Sequence, residues 1–162
     1  MTAIVVIEIC EMFKIDFQEE MVEICKLDVD IRGTSAKLRD ADLLSVEQLL
    51  YGMMLPSGND AAFALARHFG SFIFESRDYG LKEKTSIQSF QFNQHCFYVK
   101  YFLQEMNDKA QALKMNLTKL DSPHGLQNIY NLSCAFDLAL LAHHCMQNIT
   151  FQTIVGTQHF EC

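Results

Sequence analysis

Ser57 and Asn59 stand two apart in the run Leu55-Pro56-Ser57-Gly58-Asn59-Asp60-Ala61-Ala62, a hydroxyl and a carboxamide set where one apolar helix stops and another begins. A reactive hydroxyl can be held at such a junction. The positive end of the second helix and its free N–H groups create a polar site suited to a developing or bound negative charge. The same two residues are also ordinary N-caps, and as caps they would do no more than satisfy orphan amides. Spacing alone leaves both readings open.

The elements that must position this turn can be read on either side of it. Ser45 to Gln48 is a capping-box pattern, and apolar residues at helical spacing run from there to Met54. Pro56 disfavours helical geometry at Leu55 and ends that helix. Asp60 to Phe69 is Ala-rich, and Gly70 suits the position just past a helix C-terminus. Residues 2–13 predict a buried helix, because Ile4, Val5, Ile7 and Ile9 make most of its faces apolar. Met21 to Ile31 alternates imperfectly, Leu27, Val29 and Ile31 against Asp28, Asp30 and Arg32, and predicts short strands with a bulge near Cys25. Residues 33–43 read as a loop. A second long helix is expected over 94–115, with Tyr98, Phe102, Met106, Ala110 and Leu113 on one core-facing stripe. Leu117 to Leu120 reads as a short extended segment. Ser133 is expected to cap a helix reaching about Met146, with Asp137 favourably placed in its first turn.

Few other residues offer chemistry. His124 titrates near neutrality, but it sits in the turn Ser122-Pro123-His124-Gly125-Leu126, where shaping a loop is work enough. His143-His144-Cys145, with His159 and Cys162 behind, is the one metal-like grouping, yet adjacent helical histidines point about 100° apart and cannot easily share an ion. We expect no metal and no cofactor. The six cysteines are scattered, without CxxC or a repeated spacing, so neither a zinc ribbon nor a disulfide scaffold is suggested.

Composition narrows the partners. At 162 residues, 49% hydrophobic and 11% aromatic, the chain fits one domain with a sizeable core. A net charge of −7, with no Lys/Arg-rich run, argues against nucleic acid and towards small molecules or peptides. No segment reaches the roughly 20 apolar residues of a membrane span. Ala3 to Ile7 is apolar, but Glu8 interrupts it and no basic residues precede it, so no signal peptide is visible.

The nineteen residues Leu44 to Ala62, with Ser57-Gly58-Asn59 in register, closely resemble the SxN region of serine D-alanyl-D-alanine carboxypeptidases, the low-molecular-mass penicillin-binding proteins. A second block agrees: Met106-Asn107, Lys109-Ala110, Ser122-Pro123-His124-Gly125-Leu126, Ser133 and Ala135-Phe136-Asp137-Leu138-Ala139-Leu140-Leu141-Ala142. Gly33-Thr34-Ser35-Ala36, Leu38 and Asp42 match a loop of the same family, whose glycine before that aspartate is Ala41 here. The match lapses from residue 71 to about 100, a stretch carrying Phe72, Phe74, Phe90 and Phe92, which reads as an insertion within a single domain spanning 1–162.

The resemblance implies an α+β fold, predominantly helical over this chain: the helical region and a few sheet strands of the DD-peptidase and β-lactamase-like architecture. Thr153 to Phe160 resembles the strand that enters the family's sheet. The implied activity is removal of the terminal D-alanine from peptidoglycan stem peptides through an acyl-serine, with the stem peptide or a β-lactam as ligand, outside the cytoplasmic membrane. Ser57 is then the second serine, passing a proton towards the leaving nitrogen, and Asn59 positions the substrate amide. The family's nucleophile and base come from SxxK, expected just before Met1, and its KTG strand is expected after Cys162; no Lys-Thr-Gly occurs within the chain. The chain alone is therefore expected to be inactive or nearly so, since losing the nucleophile collapses the covalent route. Two alternatives remain: a non-catalytic binding protein on the same scaffold, and a serine β-lactamase relative. Against the latter, Gly58 stands where class A β-lactamases usually show aspartate.

Overall fold

Thr2–Phe13 forms α1 in the computed structural model, which describes residues 1–76 and 91–161, the side chains of 91–96 excepted. Eight of the twelve residues of α1 are buried, including Ile4, Val5, Val6 and Ile7, so this helix runs through the core rather than along its surface. It stops where Lys14 turns left-handed at φ 57° and returns its N–H to the carbonyl of Cys10.

Two three-residue strands, β1 (Met21–Glu23) and β2 (Leu43–Ser45), pair antiparallel with Val22 opposite Leu44. Val22 is fully buried between exposed neighbours, as a half-covered strand requires. The extended reading of 21–31 holds only as far as Ile24. Lys26–Val29 is a short helix, α2, because Cys25 and Asp28 close a reciprocal capping box and Asp28, fully buried, is claimed by Arg67 at 2.7 Å. That guanidinium also donates to the carbonyl of Glu23 at 2.6 Å. The ion pair overrides the alternating pattern, since an unpaired buried carboxylate is costly.

The 33–43 loop returns along β1: Ala41 N–H bonds the carbonyl of Ile24, and Ile24 N–H bonds that of Asp42. Ala41 takes φ 67°, the left-handed region that favours glycine, which gives a backbone reason for the glycine expected there by resemblance. Ser45 ends β2 and caps α3 (Val46–Met54), exchanging hydrogen bonds with Gln48 as the capping box predicts.

After the turn, α4 (Asn59–Ser76) runs on through Gly70 rather than ending there. Its glycine answers a close approach instead of a cap: a Cβ at Gly70 would lie 2.0 Å from the carbonyl oxygen of Tyr98 in the next helix, α5 (Gln91–Ala112). Of the aromatic residues assigned to an insertion, Phe72 packs edge-on against Phe13 and Phe74 is buried against Phe97 and Tyr101; Phe90 and the side chain of Phe92 lie outside the described residues. The predicted stripe of α5 does enter the core, where Phe102, Met106 and Ala110 are buried.

Beyond α5 the chain is irregular until α6 (Ala135–Cys145) and α7 (Ile149–Gly156), apart from one bridge between Lys119 and Leu132. Cys134, not Ser133, caps α6, accepting from Asp137 N–H; Ser133 instead pairs with Thr118 at 2.9 Å. The buried carboxylate of Asp137 accepts from Leu117 N–H and the Thr118 hydroxyl, both at 2.8 Å. Phe136 and Leu138 are 70% and 52% exposed, so polar contacts hold the first turn of α6, with Cys145 buried at its end. One further anchor is Glu8 of α1, which meets Lys109 of α5 and, at 2.7 Å, His144 of α6. The strand expected over 153–160 is helix over its first half: Asn148 caps α7, accepting from Phe151 N–H at 2.9 Å, and the helix reaches Gly156. The chain then straightens, and Phe160 stacks on Tyr51 with ring centroids 3.9 Å apart.

Candidate functional site

Ser57 lies at φ 59°, in the left-handed region that non-glycine residues seldom adopt. Its side chain is exposed, and its carbonyl accepts a hydrogen bond from the hydroxyl of Thr34. Gly58 is wedged beneath: its N–H bonds the carbonyl of Gly52 at 3.2 Å, and a Cβ there would meet that oxygen at 2.5 Å and the N and Cβ of Ala36 at 2.9 Å. Only glycine fits this approach without displacing the backbone. The turn is thus held by tertiary contacts that select an uncommon conformation for its serine.

Asn59 is 4% exposed, and its N–H donates to the carbonyl of Thr34 at 2.9 Å while its carboxamide donates to the carbonyl of Arg32 at 2.9 Å. Neither Ser57 nor Asn59 caps α4 with its side chain, so the cap reading fails. The carboxylate of Asp60, 1% exposed, accepts from Ala61 N–H in its own first turn, and reaches across to the Ser35 hydroxyl at 2.7 Å, Ala36 N–H at 2.8 Å and Leu38 N–H at 3.3 Å. The 32–38 loop is therefore clamped onto the serine turn by Thr34 at one end and Asp60 at the other. Gly33, at φ 99°, allows the close pass: a Cβ there would fall 2.4 Å from the Asn59 amide nitrogen.

The Ser122–Leu126 turn comes up beside the same loop, with Leu126 Cδ2 3.4 Å from where a Gly33 Cβ would stand. Thr2, at the start of α1, donates its hydroxyl to the Pro123 carbonyl at 2.5 Å. Asn131 donates to the Ser122 hydroxyl and the Leu126 carbonyl, while Asn107 holds Leu120 by two hydrogen bonds. His124 accepts the N–H of Leu126 on Nδ1 at 3.2 Å, a loop-shaping contact that needs this nitrogen bare. Burial also lowers its pKa, which favours the neutral ring.

The 32–38 loop thus packs directly on Ser57 and Asn59, and the Ser122–Leu126 turn, tied to Thr2 of α1, lies against that loop. Sequence reasoning found that pair but missed the roles of Thr34 and Asp60, which stood only as members of matched blocks, and of Thr2 and Asn131, which hold the Ser122–Leu126 turn. The histidine and cysteine grouping near residue 143 is dispersed: His144 meets Glu8, His143 meets Gln147 and His159 meets Glu161. Among the described residues no group of three or more His, Cys, Asp or Glu could hold a metal ion, and no helix is long and apolar enough to cross a membrane.

The family model for D-alanyl-D-alanine carboxypeptidases of the S11 peptidases matches residues 1–72 and 98–161. A D-alanyl-D-alanine carboxypeptidase of Streptomyces sp. strain K15 is 36% identical over 129 residues, covering 80% of this chain and 38% of the relative. A D-alanyl-D-alanine endopeptidase of Haemophilus influenzae is 32% identical over 126 residues, 77% of this chain and 34% of its own length. The crystal structure of the Streptomyces K15 DD-transpeptidase superposes with a TM-score of 0.77 at 32% identity, covering 99% of this chain and 55% of that one. The fold is accordingly the predominantly helical part of a DD-peptidase and β-lactamase-like α+β fold, and the chain spans little more than a third of the length of the curated relatives it matches. By these matches, the chain belongs to the S11 peptidase family of D-alanyl-D-alanine carboxypeptidases.

Proposed function

We propose that this chain forms the SxN wall of a serine-type carboxypeptidase site that takes the D-Ala-D-Ala end of peptidoglycan stem peptides, with β-lactams as mimics. The observation that carries the reading is the serine turn itself: an exposed hydroxyl on a left-handed Ser57, seated on Gly58 and braced by Thr34, beside a buried Asn59. In this reading the Ser57 hydroxyl relays a proton towards the leaving D-alanine nitrogen, and the Asn59 carboxamide orients the peptide. Attack on the penultimate D-Ala carbonyl belongs to a serine activated by a lysine, the SxxK pair of the family, and hydrolysis of the acyl-serine completes the turnover. The stretch from 71 to about 100 is an insertion in this scheme, supported by the gap the family model leaves between residues 72 and 98.

A chimera tests it. Residues 1–161 are placed in the Streptomyces K15 relative in exchange for the stretch they match, so that the relative supplies the remaining elements. We expect the chimera to be labelled covalently by a fluorescent penicillin, Ser57→Ala within it to lose D-alanine release by roughly a hundredfold, and the 162-residue chain alone to give neither signal. A folded chimera that takes no label refutes the reading.

A further inference from the structure

Three of the seven asparagines in this chain open the pattern Asn, any residue but proline, then Ser or Thr: Asn116-Leu117-Thr118, Asn131-Leu132-Ser133 and Asn148-Ile149-Thr150. That spacing makes an asparagine amide an acceptor for an N-linked glycan, a bulky and solubilising group that belongs at a surface. The fold treats the three differently. Asn131 Nδ2 donates to the Ser122 hydroxyl at 2.7 Å and the Leu126 carbonyl at 3.0 Å, and its Oδ1 accepts the N–H of Asp121 at 2.6 Å. Asn148 caps α7 through Oδ1 and donates to Glu11 at 2.9 Å. A sugar on Asn131 Nδ2 takes one of the two hydrogens that hold the Ser122–Leu126 turn, and on Asn148 it crowds the Glu11 carboxylate.

Asn116 is unencumbered. Past the end of α5, Lys114 turns left-handed at φ 61°, Met115 drops into the core, and Asn116 and Leu117 are left exposed. The Asn116 side chain engages no partner among the described residues. Leu117 N–H bonds Asp137 and the Thr118 hydroxyl meets Ser133, which brings Leu132 and Phe136 beside this turn; all three apolar residues are more than half exposed. We propose that Asn116 carries an N-linked glycan, which screens this apolar rim and leaves the supports of the serine turn untouched. In the transfer, Nδ2 of Asn116 bonds C1 of a lipid-linked oligosaccharide pyrophosphate, the C1–O bond to phosphate breaks, the lipid pyrophosphate leaves with that electron pair, and one amide proton passes to solvent. Transfer precedes folding, because the Thr118 hydroxyl that the transferase reads is afterwards committed to Asp137 at 2.8 Å.

The 162-residue chain behind an added secretion leader, translated in the presence of eukaryotic microsomes, tests it. Imported chains, those protected from added protease, are treated with peptide N-glycosidase, which leaves aspartate where a glycan stood, and peptide masses then give the occupancy of each asparagine. We expect occupancy at Asn116 that is lost in Asn116→Gln and Thr118→Ala and kept in Thr118→Ser. Because transfer precedes folding, these variants are read whether or not they fold. Once released, the chain glycosylated at Asn116 should resist trypsin as well as the bare chain does. A form glycosylated at Asn131 should be cut roughly fivefold faster, as one lost hydrogen bond allows. An imported chain left bare at Asn116 overturns the proposal, and so does an Asn116 glycan that makes the chain protease-sensitive. Equal resistance of the Asn131 form overturns the ranking of the sites on which the choice of Asn116 rests.

Discussion

Gly70→Ala should destabilise the protein although it places the best helix former in the middle of a helix. Two effects oppose each other. Relative to glycine, alanine in a helix interior gains about 1 kcal/mol. Against this, the new Cβ would stand 2.0 Å from the carbonyl oxygen of Tyr98 and 2.6 Å from its carbonyl carbon, closer than any real Cβ contact. Those atoms are backbone, so no side chain can swing aside; α4 and α5 must separate by about an ångström. Phe74, wedged against Phe97 and Tyr101, then loses packing. Overpacking of this kind typically costs 1–3 kcal/mol, and a backbone obstacle belongs at or beyond the upper end. The net loss is about 2 kcal/mol, which for a chain of this size lowers Tm by roughly 4–8 °C. Gly156→Ala is the control: nothing lies within 4 Å of its Cβ, so only helix propensity acts and Tm should hold or rise slightly. Thermal melts of dilute protein followed by circular dichroism compare the three chains. A Gly70→Ala protein melting at or above the wild-type temperature would sink the argument.

The reverse change is expected at Ala41, whose φ of 67° costs an L-residue about 1 kcal/mol. Ala41→Gly relieves it, partly offset by the looser unfolded chain, for a net gain of about 0.5 kcal/mol in urea unfolding; a lowered midpoint would contradict the strain. A pH dependence follows from His124 and His68, whose pKa values burial lowers from the ordinary histidine value, with Glu20 partly opposing the shift at His68. In that window the unfolded chain binds more protons, so the stabilisation is full above about pH 6.5 and is lost as pH falls through the lowered folded values. His124→Gln should flatten part of the slope of Tm against pH, and an unchanged slope would remove His124 from the account.

Local grammar made some of this legible and misled elsewhere. The apolar run of α1, the Ser45–Gln48 box and the α5 stripe depend on neighbours within a few residues, so they were read correctly. The segment around Asp28 was not, because the partner that makes a helix worthwhile there, Arg67, lies 39 residues away. Gly70 looks like a terminator until Tyr98 is set beside it. At the site, Pro56 and the Ser57-Gly58-Asn59 turn announced a junction. That Thr34 and Asp60 would hold it required knowing that the 32–38 loop folds over it, which no periodicity encodes.

The unbroken course of α4 has a consequence for how such a protein can change. Its first residue, Asn59, belongs to the site, and its last, Ser76, comes after the point where the family match lapses. Eighteen residues at 1.5 Å each put about 27 Å between the two ends. The helix therefore works as an insulating spacer. Length and composition can drift at its far end under selection of their own, while the turn at its near end is held by contacts the drift never touches.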